Sequence, residues 1–122
     1  MHIIVDVGQA IARLVKRLKM NIDHYDFDNE MNKDKCLSAR YYVTATDKLF
    51  NGCPLWPGKI AKLVVACDTY EQSAQVVEGM KYKKGNRGYF SYVKIIRGDM
   101  PNYANSRYAV KVMHYDHATA FH

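Results

Sequence analysis

Residues 62–67, Lys-Leu-Val-Val-Ala-Cys, form a short run rich in apolar residues that ends on Asp68, and a helical pattern begins straight after it. A run of this length and composition suits a strand buried on both faces. Asp68 and Glu71 stand at capping-box spacing, so Asp68 is expected to accept an early helical N–H, with Glu71 near the positive helix end. Tyr70, Ala74, Val77 and Lys81 make one helical row, and Ser73, Val76, Val77 and Met80 make its neighbour. Lys81, Lys83 and Lys84 suit the negative end. Gly85 is a natural stop, so the helix should finish between Gly79 and Lys84. A strand that runs directly into a helix needs a sheet for that helix to cover.

The remaining strands follow from composition and alternation. Ala39–Thr46 is rich in β-branched and aromatic residues, with Tyr41, Val43 and Ala45 on one face and Arg40, Tyr42, Thr44 and Thr46 on the other. Asn51-Gly52, Pro54 and Pro57-Gly58 punctuate a loop carrying the only tryptophan, Trp56. Tyr89–Ile96 is a third strand. Gly98-Asp99 and Pro101 mark a turn or loop, and Arg107–Tyr115 is a fourth strand with clean alternation. The order β-β-α-β-β predicts an α+β fold: a mostly antiparallel four-stranded sheet with one main helix on one face. Residues 62–96 also have the length of a parallel crossover unit.

Ahead of this domain, placed at 39–122, residues 1–38 read as an amphipathic helix and an acidic linker. Val7, Ile11, Leu14, Val15 and Leu18 share one helical face, with Arg13, Lys16, Arg17 and Lys19 at the other positions. Residues 21–38 are acidic and short of apolar periodicity. Net charge is +3 over residues 1–19, −3 over 20–38 and +6 over the rest. Composition changes at Met20, which raises the expectation that translation in the cell begins there; the intact mass of the natively expressed protein tests this.

Several classes of function are disfavoured. Cys36, Cys53 and Cys67 are odd in number and widely spaced, which argues against a disulfide framework or a cysteine-only metal site and for a reducing cytoplasm. No stretch reaches the roughly 18 apolar residues of a membrane span, and the N-terminal run lacks the order of a signal peptide. Asp23, Asp26, Asp28 and Glu30 miss the glycine and register of a calcium loop. His114 and His117 would point to opposite faces of an extended chain, so no metal site is expected there. Cofactor and catalytic motifs are missing from the chain, so no catalytic residue, metal or cofactor is assigned.

The densest local feature is Lys81-Tyr82-Lys83-Lys84-Gly85-Asn86-Arg87-Gly88-Tyr89-Phe90-Ser91-Tyr92, with four basic residues in seven positions followed by aromatics. Cations neutralise phosphates and rings stack on bases, while Arg and aromatic residues also carry interface energy. Arg87-Gly88-Tyr89 matches the start of an RNA-recognition signature, but Phe90 and Ser91 break it. Two binding sets follow. A protein partner would meet Trp56, Lys81, Lys83, Lys84, Arg87, Tyr89 and Tyr92. A nucleic acid would meet Lys83, Lys84, Arg87, Lys94, Arg107 and Lys111.

Arg40-Tyr41-Tyr42-Val43-Thr44-Ala45-Thr46-Asp47-Lys48, Gly58-Lys59, Leu63–Ala74, Pro101-Asn102-Tyr103 and Arg107–Val110 resemble small uncharacterised proteins of phages and mobile elements, over about residues 39–112. The loop Asn51–Trp56 departs from the Ser-Gly-Trp-Gly type of those proteins. The resemblance implies a setting and no activity. It fits phage-borne inhibitors of host defence, anti-CRISPR proteins among them. The expectation is a non-enzymatic protein of the bacterial cytoplasm that binds a host protein, with nucleic-acid binding as the alternative.

Overall fold

The computed structural model describes residues 22, 24–48, 58–83, 89–103, 105 and 107–118. The amphipathic segment 7–18, Met20, the Trp56 loop, Lys84, Gly85, Arg87 and the tail from Thr119 lie outside the described residues. Five strands form one sheet: β1 (Asp26–Phe27), β2 (Tyr41–Asp47), β3 (Ile60–Cys67), β4 (Phe90–Arg97) and β5 (Tyr108–His114). Their order across the sheet is β1-β5-β3-β2-β4. Two helices accompany it, α1 (Lys33–Leu37) and α2 (Tyr70–Lys83).

The sheet therefore corrects the expectation of four mostly antiparallel strands. It has five strands and is mixed. Strand β5 pairs in parallel with β1 and β3, while β2 runs antiparallel to both β3 and β4. Four strands thus point one way and β2 alone points the other. The fifth strand comes from the acidic stretch, where Asp26 and Phe27 pair with Lys111 and Val112. Two residues are too few for periodicity to show.

Strands β4 and β5 do not form a hairpin. Residues 98–107 instead carry the chain back across the sheet. Met100 and Pro101 are buried, and Tyr103 packs on the core formed by Tyr42, Val64, Val110 and Val112. Tyr25 holds this segment at two points: its hydroxyl donates to the Pro101 carbonyl at 3.3 Å and accepts the Tyr103 N–H. Gly98, at φ +109°, occupies a conformation that suits glycine and donates its N–H to the Arg40 carbonyl at 2.9 Å.

Both sheet faces are buried, each against a different cover. Val43, Ala45, Leu63, Val65 and Cys67 meet Val76 and Met80 of α2. Tyr42, Val64, Ala66, Val110 and Val112 meet Ile22, Tyr25, Phe27, Cys36, Leu37 and Met100. Helix α2 connects β3 to β4 over the first face, passing β2. Segment 98–107 returns over the second face. Two parallel crossovers running in opposite directions on opposite faces share one hand, as sheet twist requires.

The helix row Ser73, Val76 and Met80 is fully buried, whereas Tyr70 and Lys81 are exposed. The cap sits one residue later than Asp68 and Glu71 suggested. Thr69 Oγ1 accepts the Gln72 N–H at 3.2 Å, and Gln72 Oε1 accepts the N–H groups of Thr69 at 3.2 Å and Asp68 at 2.8 Å. Thr69-x-x-Gln72 is thus the reciprocal box. Asp68 turns instead towards His114.

Thr69→Ala should cost about 1 kcal/mol in urea unfolding, and Asp68→Ala clearly less, because the box survives. The buried thiols give a second expectation. Burial raises Cys36 and Cys67 from 9.0 to about 12. Between these values the unfolded chain loses protons that the folded chain keeps. Stability should therefore be unaffected by these groups below pH 9 and fall from about pH 9 to about pH 12, by at most ~1.4 kcal/mol per pH unit for each thiol. Urea midpoints at stepped pH check this.

Candidate functional site

Strand β4 lies at one end of the sheet, and no described strand pairs with its outer edge. Natural edge strands carry bulges and charges that discourage indiscriminate pairing. Strand β4 has both. Lys94 pairs with Thr44 and Ser91 with Thr46, so Tyr92 and Val93 together oppose Ala45. Tyr92 adopts φ +55° and is the only non-glycine residue at positive φ among those described. Its side chain is 81% exposed. A tyrosine held in a conformation that favours glycine, with its ring in solvent, costs about 1 kcal/mol and gains little packing in return.

Two cations follow this tyrosine along β4, on opposite faces of the sheet. Lys94 is exposed one turn of the pleat away, on the side of the sheet that carries Tyr42. At the far end of β4 the Arg97 guanidinium lies 5.9 Å from the Tyr41 ring centre, and Tyr41 meets Tyr70 edge-on at 5.9 Å. Arg97 and Tyr70 are both exposed. Arg40, Tyr41, Arg97, Gly98 and Asp99, together with Ala39, line an open depression of about 330 Å³. No described carboxylate forms a salt bridge with Arg40, Lys94 or Arg97.

The segment singled out in the sequence divides. Tyr89 is half-buried and packs on the α2-side core, and its carbonyl accepts the Lys48 N–H at 2.8 Å. Lys81 is exposed, 3.8 Å from Glu78 one helical turn earlier. Lys83 closes α2. Lys84, Arg87 and Trp56 fall outside the described residues. Of the nucleic-acid set, Arg107 is exposed at the start of β5. Alternation puts Lys111 on the side of Met113, which faces the α2 core, opposite the face that carries Lys94. The set therefore does not share one surface.

Sequence reasoning missed Arg40, Tyr41, Tyr70 and Arg97, which are far apart in the chain and meet only through the β2–β4 register. It weighed His114 only as a metal ligand beside His117 and missed its contact with Asp68. The His114 ring is buried between two carboxylates, with Nε2 3.4 Å from Asp68 Oδ1 and Nδ1 3.4 Å from Asp116 Oδ2. Nδ1 also lies 3.2 Å from the Asp116 backbone N–H. His117 is exposed in the turn Tyr115–His117. Among the described residues no three His, Cys, Asp or Glu side chains group as metal ligands, and no helix is long and apolar enough to cross a membrane. Cys67, donating weakly to the Val65 carbonyl and pushed up to about 12, is held as a thiol rather than a nucleophile.

Among the described residues, β4 offers exposed ring surface and positive charge without a salt bridge, the chemistry of recognition. No family model, curated protein or solved structure matches the chain.

The backbone cost at Tyr92 separates cleanly by substitution. Tyr92→Ala keeps a Cβ in the left-handed region, whereas Tyr92→Gly removes it. The glycine variant should be the more stable of the two, by about 1 kcal/mol in urea unfolding. Equal midpoints would mean that the backbone there is unstrained.

Proposed function

We propose that this chain is a non-enzymatic binding protein whose protein partner docks along strand β4, with Tyr92 as the anchor. The observation that carries this reading is Tyr92 itself: an exposed aromatic kept at positive φ in an edge-strand bulge. Strain retained without a packing reward concentrates at functional positions. Tyrosine and arginine are the residue types that dominate interface energy, and Arg97, Tyr41 and Tyr70 meet at the other end of the same strand. Arg40, Lys94 and Arg97, which form no salt bridge with a described carboxylate, favour an acidic partner surface.

A phage or mobile-element origin, a bacterial cytoplasmic location and a host-defence target such as a CRISPR-Cas complex belong to this proposal. They rest on the resemblance read from the sequence over about residues 39–112 alone. Lys81, Lys83, Lys84, Arg87 and Trp56 remain proposed contacts, while Tyr89 contributes more to the core.

The test is affinity capture from a bacterial host lysate after nuclease treatment, comparing wild type with Tyr92→Ser. A partner should be recovered by wild type, and its affinity for the purified variant should fall about 30-fold or more, as loss of an anchor worth at least ~2 kcal/mol implies. Capture that vanishes with nuclease, or is equal for both proteins, would replace this reading with the nucleic-acid one or remove Tyr92 from it.

A further inference from the structure

Lys62 is the one charged residue of β3, and it and Ile60 are the only residues of that strand that are not buried. It projects from β3 on the side of Val64 and Tyr42, where its ammonium donates to Thr46 Oγ1 at 2.8 Å. The same ammonium stands 5.6 Å from the ring centres of both Tyr103 and Tyr108. Strand β4 carries Lys94 on the same side of the sheet. The register sets Lys62 beside Thr46 and Lys94 beside Thr44, so only β2 separates the two lysines. Lys62 is half-buried and Lys94 exposed. Neither forms a salt bridge with a described carboxylate. Burial first, and the charge of Lys94 second, lower the pKa of Lys62.

Two like charges fixed by cross-strand register, one of them partly desolvated, cost the folded protein free energy. The rings of Tyr103 and Tyr108 hold the Lys62 ammonium in place by attraction to their faces, yet cannot neutralise it. An anion between the lysines would. We propose that Lys62, Lys94 and Thr46 form a receptor for a phosphate group. Lysines act as point charges and suit a tetrahedral anion that spreads its oxygens among several donors, whereas a carboxylate is better matched by the planar fork of arginine. Thr46 accepts from Lys62, so its own hydroxyl proton remains available to a phosphate oxygen. Tyr103 and Tyr108 beside the site give a base a surface to stack on. The group could belong to a small phosphate compound or to a nucleic-acid backbone. The site shares Lys94 with the docking reading of β4 but needs neither Tyr92 nor a protein partner.

The test titrates inorganic phosphate into the full chain at constant ionic strength, following the backbone amides of Thr46, Lys62 and Lys94 by NMR. Saturable shifts are expected, and they should disappear in Lys62→Met, which keeps the side-chain stem. A second readout needs no variant: phosphate should raise the titration midpoint of Lys62 followed at its ¹³Cε. A parallel arm uses a short oligothymidylate. Binding more than about tenfold tighter than that of phosphate assigns the group to a nucleic-acid backbone, and comparable binding assigns it to a small phosphate compound. Shifts that never saturate, acetate acting as strongly as phosphate, or an unmoved Lys62 midpoint would overturn the proposal.

Discussion

Both edges of β2 are occupied, and the architecture depends on that. Its residues pair with β3 along one side and β4 along the other, from Tyr41 to Asp47. Because β2 is antiparallel to each, β3 and β4 are parallel to one another and cannot be joined by a tight turn. Helix α2 must therefore bridge them, and the chain must recross the opposite face to reach β5. Tyr42 shows how firmly the centre is fixed: it is fully buried, and its hydroxyl donates to the Cys36 carbonyl at 2.6 Å. One hydrogen bond thus fastens α1 to the strand on which the sheet is assembled.

Much of this was legible locally and little of it globally. The alternation of Tyr42 against Val43 and Ala45, the apolar run of β3 and the buried row Ser73, Val76 and Met80 all follow from period and composition. Sheet order does not, because periodicity says which face a side chain takes and nothing about which strand lies beside it. Gly98 and Pro101 announce a reversal equally well for a hairpin and for a crossover. The contacts that decided between them, Tyr25 with Pro101 and Tyr103, span more than 70 residues. The capping box moved by one residue because threonine and glutamine satisfy it as well as aspartate and glutamate do.

The candidate surface was legible in part. Tyr92 and Lys94 were chosen as an aromatic and a cation near a basic cluster, but the bulge that singles out Tyr92 exists only in the pairing with β2. Lys62 carried a signal of its own, a lysine in phase with Val64 on a strand that is otherwise apolar. Its meaning needed Thr46, Lys94 and two tyrosines from elsewhere in the chain. Charge summed over a segment pointed to residues 81–87, whereas charge placed by register points across β2.

The bulge at Tyr92 also sets the phase of β4. Lys94 and Ile96 lie on the side of Tyr42, and plain alternation would carry Phe90 to that side as well. The additional residue makes Ser91 the partner of Thr46 and turns Phe90, paired with Asp47, into the core beneath α2. Tyr92 is therefore the residue that the ladder sets aside. Replacing it changes what the edge displays, whereas deleting it would leave Val93 alone opposite Ala45 and a regular ladder in which Phe90 keeps its place beside Asp47. The fold should therefore accommodate a deletion at this point, whereas an added residue would put Ser91 and Phe90 out of phase with Thr46 and Asp47.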